Sequence, residues 1–555
     1  MKTAAVLMEI LSRAGVRYLF GNPGTTELTF LDALPDSKLE YVVALQEATA
    51  VSAADGFAQA SGTIGLANVH VAPGVANALS ALQNASRSRS PVVLTAGQQD
   101  SRFLADDPIL SGDLVQMTEQ FTKWSYELRT AAEAPAVLRR ALTLALAPPT
   151  GPVFLSMPME LMTEVTDDAG DPPGDIARAS APDPEAIARA AATLQAARSP
   201  LIIAGDGVAR GGAVGELVAL AELIGARVQA EPIHRRQSFP GTHPLWRGGL
   251  YPSPAGVRKA VEESDAVLIA GASVFTWFLY APGEPFPRET PVIQLDSDPR
   301  EIGRSYRVGL GIVADCRAGL AALTQAVASK MTDADRAAAR ERIERIGKTR
   351  AEHVRRARAA AEADRERTPI TVPWLMATLA DMLPDDATIV DESASSLGHV
   401  LRYLPFKAPD SFFASKTGTL GWAMGAAIGV QLARPGRKVV ATIGDGSVMY
   451  SPQALWTAAK YRLPITYVVP NNTSYAILKA GMLGMGLDSA KTGRYPGMDL
   501  VDPEIDYLGL ARSLGVRAER VDKPGNLRDV LGTALAHDGP SLVDVTIDRG
   551  FKALG

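Results

Sequence analysis

The chain has 555 residues, 46% of them hydrophobic and 21% charged, with a formal net charge of -5. Single cores stop growing well before that length, so several domains are expected, and the mild acidity leaves no footprint for nucleic acid or an anionic membrane surface. A lone cysteine, Cys316, excludes an intrachain disulfide and any cysteine-rich metal or iron–sulfur centre.

Glu9, Arg13 and Arg17 interrupt the apolar positions of the N-terminal stretch, which reads as an amphipathic helix leading to a strand. It lacks the unbroken apolar core of a signal peptide, and no run is long enough to span a bilayer, so a cytoplasmic protein without a membrane partner is expected. Residues 1–165 then alternate helical and strand-like segments, the pattern of an α/β domain with a parallel sheet. Strands are predicted at Tyr18 to Gly21, Tyr41 to Leu45, Ile64 to Val69 and Pro91 to Ala96. Thr25, Glu47 and His70 fall just past the ends of the first three. Ligands of open parallel sheets bind at such ends, although Glu47 could equally cap its own helix and His70 could be a hydrogen-bonded core residue.

Residues 166–183 are rich in Pro, Gly and Asp and read as a linker. A second α/β domain follows at 184–330, with strands at Leu201 to Ala204, Ala266 to Ala270 and Pro291 to Leu295. Its glycines 205, 207 and 211 miss the dinucleotide fingerprint by one residue and read as a turn. Residues 332–367, dense in Arg, Glu and Ala, predict a solvated connecting helix.

The third domain, 368–550, contains strands at Ala387 to Val390 and around Phe412 and Phe413, and the loop from Lys416 to Gly421. Its most informative stretch runs from Val439 to Ser474. The β-branched run Val439 to Ile443 ends at Gly444-Asp445-Gly446-Ser447, a helical segment follows, and a second strand, Ile465 to Val469, ends in Pro470-Asn471-Asn472-Thr473-Ser474. Asp445 offers a hard anionic oxygen, Asn472 a neutral one, and the glycines let backbone approach a phosphate. One carboxylate plus an amide suits Mg²⁺, which keeps water and takes its other oxygens from a diphosphate.

The spacing of G-D-G, then 24 residues, then N-N resembles the thiamine diphosphate (ThDP) signature. With GNPGTTEL at 21–28, ALQEA at 44–48, VHVAPG at 69–74, TAGQQ at 95–99 and LWTAA at 455–459 in the same order, the chain is similar to the benzoylformate decarboxylase branch of the ThDP-dependent decarboxylases and carboligases. The resemblance implies three parallel-sheet α/β domains: pyrimidine-binding, central and diphosphate-binding. It implies that Asp445, Asn472 and the Ser474 carbonyl hold Mg²⁺, with Gly444, Gly446, Ser447, Ser395 and Tyr475 around the diphosphate. Gly418 would meet the 4′-amino group, Leu420 would lie under the thiazolium, and Glu47 would reach the aminopyrimidine from another subunit. His70 would exchange protons, and Thr25 would replace the family's carboxylate-binding serine.

Three features depart from the family. Phe278 stands where a second catalytic histidine is found, Ile477 replaces a small residue and Gly481 an aromatic one in the substrate pocket, and Lys416 is foreign beside the cofactor loop. The resemblance implies decarboxylation of an aromatic or bulky 2-oxo acid to an aldehyde and CO₂, by a homodimer at least and a homotetramer by family habit. A carboligase or C–C lyase of the acyloin or acetolactate synthase kind is the alternative, and a cofactor-binding subunit without turnover is a third reading, opposed by the intact Glu47, His70, Asp445 and Asn472. Acetolactate synthases lack a histidine at the place of His70.

Overall fold

The computed structural model describes residues 1–552, and three six-stranded sheets, each wholly parallel and flanked by helices, account for them. The first contains β1 (Tyr18–Gly21), β2 (Glu40–Val43), β3 (Gly65–Val69), β4 (Val92–Gln98), β5 (Ser125–Glu127) and β6 (Val153–Pro158), in the order 2-1-3-4-6-5. The second contains β7 (Pro200–Ala204), β8 (Arg227–Ala230), β9 (Trp246–Gly249), β10 (Ala266–Ala270), β11 (Val292–Asp296) and β12 (Leu310–Val313), in the order 12-11-10-7-8-9. The third contains β13 (Thr388–Glu392), β14 (Phe412–Ala414), β15 (Val439–Ile443), β16 (Ile465–Asn471), β17 (Arg517–Val521) and β18 (Ser541–Thr546), in the order 14-13-15-16-18-17. The three-domain α/β class expected from the alternating pattern is the observed one.

Residues 166–183 form neither helix nor strand, and the Arg- and Glu-rich stretch is one helix, Asp333–Ala363, burying only Ala339, Ile346 and Ala361. The N-terminal helix, Thr3–Arg13, buries one apolar face, and among the described residues no helix is long and apolar enough to cross a membrane.

Gly205 and Gly207 are explained by crowding. A Cβ on Gly205 would lie 2.3 Å from the Ala272 Cα, and one on Gly207 2.7 Å from the Gly271 carbonyl oxygen. The turn after β7 therefore presses directly on the end of β10.

The first and third sheets are joined within the chain by two helices of small residues, Glu47–Ser61 and Trp422–Ala433. Gly425 meets Thr49 and Ser52, Gly56 meets Ala426, and a Cβ on Gly429 would lie 1.9 Å from the Ala53 carbonyl oxygen. Backbone therefore packs on backbone. Asp55 pins the contact, accepting hydrogen bonds from Trp422 Nε1 (2.8 Å), Asn84 Nδ2 (2.8 Å) and Gln59 Nε2 (2.9 Å). Overpacking a close contact of this kind costs about 1–3 kcal/mol. Gly429→Ala should accordingly lower the unfolding midpoint clearly, whereas Gly436→Ala, where a Cβ meets nothing within 4 Å, should not. Equal midpoints in thermal unfolding would show that the helix contact yields freely.

Candidate active site

In the first sheet β2, β1 and β3 are neighbours, so the residues that follow them share one edge. Glu47 opens the helix after β2, but it does not cap it: Gln46 accepts the Thr49 N–H at 3.0 Å instead. The Glu47 carboxylate is buried and receives one side-chain amide on each oxygen, from Asn22 and Asn77, both at 2.9 Å. A negative charge is thus held at the strand edge without a cationic side chain being spent on it.

His70 sits at the end of β3, half-buried, with Nδ1 2.7 Å from Glu27 Oε2 and 3.2 Å from Thr26 Oγ1. Glu27 is fully buried, and it also accepts from Gly97 N (2.7 Å), Gly24 N (3.1 Å) and Thr26 Oγ1 (2.9 Å). An anionic acceptor at Nδ1 fixes the proton there and leaves Nε2 as the atom able to take or give one. Gly24 makes room for this arrangement, since a Cβ there would fall 2.1 Å from His70 Nδ1. Thr25, adjacent in sequence, is exposed. Sequence reasoning singled out Thr25 and His70 and missed Thr26 and Glu27, although Glu27 lay inside the quoted motif.

On the third sheet β13, β15 and β16 are neighbours, which brings Asp445, Asn472 and the 393–396 turn to another common edge. Asp445 opens a helical turn after β15, Oδ1 accepts from Gly446 N at 2.9 Å, and its own carbonyl accepts from the Tyr507 hydroxyl at 2.8 Å. Asn472 folds its loop by accepting the Ser474 N–H on Oδ1 at 3.0 Å, with Thr473 at φ +49°. Gly446, Ser447 and Ser474 are buried, Gly444 and Tyr475 are half-buried, and Ser395 is exposed.

Asp445 Oδ2 is buried and has no hydrogen-bond partner among the described residues. Burial pushes this carboxyl up to about 6, against the lowering effect of the neighbouring backbone N–H groups. A buried carboxylate oxygen without a donor is costly unless a cation meets it. Among the described residues no group of three or more His, Cys, Asp or Glu could hold a metal, so an ion here would draw its remaining oxygens from Asn472, backbone carbonyl and a bound diphosphate. The donor set fits a hard divalent ion.

The loop from Ser415 to Gly421 borders the same edge. Asn84 Oδ1 accepts from Lys416 N (2.8 Å), Ser415 Oγ (3.1 Å) and Thr417 N (3.3 Å), and Glu392 accepts from Gly421 N (2.5 Å) and Ala423 N (2.7 Å). Gly418 is exposed at φ +75° and Leu420 is half-buried. Lys416 turns away to the second sheet, where its buried ammonium meets Asp206 (2.6 Å), Glu231 (3.1 Å) and the Ile233 carbonyl (2.9 Å). It is an interdomain tie. Asn84 and Glu392, neither singled out from sequence, hold the loop in place.

Of the residues assigned to the substrate pocket, Ile477 and Gly481 are half-buried on the helix Ala476–Gly484. Phe278 is 79% exposed in the single chain, on the loop after β10 beside Tyr280 at 93%. Other apolar side chains are exposed close to the two strand edges, among them Leu28, Ile109, Met449 and Leu478.

Three models of thiamine pyrophosphate enzymes match the chain in order: the N-terminal TPP-binding domain at residues 1–121, the central domain at 187–323 and the C-terminal TPP-binding domain at 394–545. The chain is 34% identical to benzoylformate decarboxylase of Pseudomonas aeruginosa, over 98% of this chain and 99% of that one. It is 29% identical to a probable acetolactate synthase large subunit of Methanocaldococcus jannaschii, over 99% and 92%. Among solved structures, the thiamine diphosphate-dependent 4-hydroxybenzoylformate decarboxylase of Rhodococcus jostii superposes with a TM-score of 0.87 at 30% identity, over 99% and 100%. The chain belongs to the thiamine pyrophosphate enzyme family.

The carboxyl of Asp445 yields a test that does not depend on turnover. Because its folded value is raised from 3.8 to about 6, the folded state binds more protons than the unfolded one in that window. Stability of the cofactor-free protein therefore falls as pH rises through the window, and the deficit persists above it. Asp445→Asn should make the chelated, cofactor-free protein more stable by roughly 1–3 kcal/mol at neutral pH, with the difference vanishing near pH 4, while weakening cofactor retention. Melting curves of parent and variant at both pH values check this. A variant less stable at neutral pH would show that the carboxylate is already compensated.

Proposed function

We propose that this chain is a ThDP- and Mg²⁺-dependent decarboxylase of a 2-oxo acid, aromatic or bulky, releasing an aldehyde and CO₂. The observation that carries the reading is the Glu27–His70 pair beside Glu47 at one strand edge, a proton-exchanging imidazole held in one tautomer next to a buried carboxylate. The relatives described as benzoylformate and 4-hydroxybenzoylformate decarboxylases support the substrate class.

In this reading Asp445, Asn472 and the Ser474 carbonyl hold Mg²⁺ against the diphosphate, lined by Gly444, Gly446, Ser447, Ser395 and Tyr475. The Gly418 carbonyl and the Leu420 side chain fix the orientation of the rings, and Glu47 faces the aminopyrimidine of a cofactor seated on a partner chain. Bound ThDP supplies the electron sink that loss of CO₂ from a 2-oxo acid requires. His70 Nε2 then delivers and removes protons at the substrate carbon and oxygen, with Glu27 keeping that nitrogen free. Thr25, Phe278, Ile477 and Gly481 form the substrate wall. The working unit is at least a homodimer and by family habit a homotetramer, with the chain divided at 1–165, 184–330 and 368–550.

A second reading, ligation or cleavage of a C–C bond next to a carbonyl, is favoured by Phe278. A phenyl ring cannot supply a proton where the family has a histidine, so aldehyde release depends on fewer groups. The acetolactate synthase relative points the same way.

The test uses exhaustively chelated and dialysed protein, with CO₂ and aldehyde followed separately over a panel of 2-oxo acids. Activity should require both ThDP and Mg²⁺, and aryl or bulky substrates should give equal amounts of the two products. Glu27→Gln, whose amide would turn the ring proton to Nε2, should slow turnover by about 10²-fold or more, the range for a misplaced proton-transfer group. CO₂ without free aldehyde would select the second reading. CO₂ release that persists in verified cofactor-free protein would overturn both.

A further inference from the structure

The amino-terminal edge of the second sheet carries a feature unrelated to either strand edge described above. A cavity of about 210 Å³ lies between the long helix Asp333–Ala363 and the starts of β7 and β8, lined by Arg227, Arg247, Arg342 and Arg345, with Glu263 and Ile346. Asp206, which meets Lys416, follows the opposite end of β7, so the two locations are separated by the length of that strand.

Four guanidinium groups against one carboxylate leave the cavity strongly cationic. Glu263 pairs with Arg227, but its side chain is 77% exposed, so it partly offsets one charge at the rim. Arg342 spends one terminal nitrogen on the Ile224 carbonyl at 2.8 Å, and Arg227 one on Ser264 Oγ at 2.7 Å. Asp265, which accepts the backbone N–H groups of Arg198 (2.7 Å) and Ser199 (2.9 Å), and Asp335, which accepts from Thr332 and Gln195, also lie near Arg342 and offset part of its charge. Three buried nitrogens remain: Arg227 Nε, one terminal nitrogen of Arg247 and Arg342 Nε have no hydrogen-bond partner among the described residues. Burial holds the Arg247 guanidinium below the usual arginine range, reinforced by the charge of Arg227, and burial likewise lowers Arg342 against the pull of Asp265 and Asp335, with Arg345 adding to the lowering.

An enclosed charged donor without an acceptor is among the more costly features a fold can carry, and like charges at close range add to it. One ligand type relieves both. A compact oxyanion with two or more charges offers paired oxygens to planar guanidinium forks and neutralises their repulsion. The volume has room for several water molecules and for a phosphate group with a small substituent.

We propose that this cavity is a second anion site, specific for a phosphate group, either orthophosphate or a small phosphomonoester, which clamps the connecting helix onto the second sheet. Arg247 and Arg342 would provide the principal contacts, one from the sheet and one from the helix. The site is independent of the decarboxylase reading.

Isothermal titration of the full chain saturated with ThDP and Mg²⁺ tests it, because the diphosphate-holding edge is then filled. Orthophosphate and glycerol 3-phosphate serve as probes, with ionic strength matched by chloride. Each should saturate at one site per chain and raise the unfolding midpoint, and the tighter of the two identifies the natural source. Arg247→Gln and Arg342→Gln should each weaken binding by about tenfold or more, the loss expected of one charged hydrogen-bonding group. Arg317→Gln, on the exposed surface, should leave it unchanged. Should a glutamine variant fail to fold, Arg247→Lys and Arg342→Lys keep the charge, lose the fork and should still weaken binding. Absence of saturable heat at millimolar phosphate, or affinity unchanged in the Arg247 and Arg342 variants, would overturn the proposal.

Discussion

The contact between the helices Glu47–Ser61 and Trp422–Ala433 is the constraint on which the rest of this chain depends. Glycine and alanine on both faces let backbone approach backbone, and the Asp55, Trp422 and Asn84 hydrogen bonds lock the approach. The first of these helices starts at Glu47, and the second starts immediately after the loop Lys416 to Gly421. One packing surface therefore sets the position of groups on two sheets at once. Asn84 extends the effect, since the residue that donates to Asp55 through its nitrogen holds the loop through its oxygen.

Buried carboxylates are the second organising feature. Glu27 is met by four donors, Glu47 by two amides, and Glu392 by two backbone N–H groups at the start of a helix. Asp445 differs in keeping one oxygen without a donor. Each of the first three orients something else: an imidazole, a strand edge, a loop, although burial still pushes the Glu392 carboxyl up to about 8 against its two backbone donors. The fourth would be satisfied by a proton or by a cation, so its protonation should register in the stability of the cofactor-free protein as well as in cofactor retention.

Much of this was legible in the sequence where local chemistry is decisive. β1, β10 and β15 match the predicted runs residue for residue, because short apolar segments that end at glycine or a glycine-rich turn leave little choice of boundary. β8 and the edge strands β9, β12 and β17 are short and carry charged or small residues, as in Arg-Ala-Glu-Arg-Val at 517–521, so alternation there is weak. At the site, residues at strand ends could be named from spacing, whereas Glu27, Asn84 and Glu392 act through partners tens to hundreds of positions away. Lys416 is the clearest case. Sequence placed it beside the cofactor loop, and only tertiary contact reveals that its charge is consumed by Asp206 and Glu231.

In the proposed function the Glu47 edge of one chain and the Asp445 edge of another would complete a single cofactor site, and such an interface would cover the apolar side chains exposed around both edges. The direct measurement mixes chains carrying Glu47→Gln with chains carrying Asp445→Ala, each nearly inactive alone, under conditions where subunits exchange. If sites are shared across a two-fold interface, random pairing restores about a quarter of the sites to the parental combination, and activity should rise to that level. Exchange demonstrated without any recovery of activity would contradict the account and place both carboxylates in a site made by one chain.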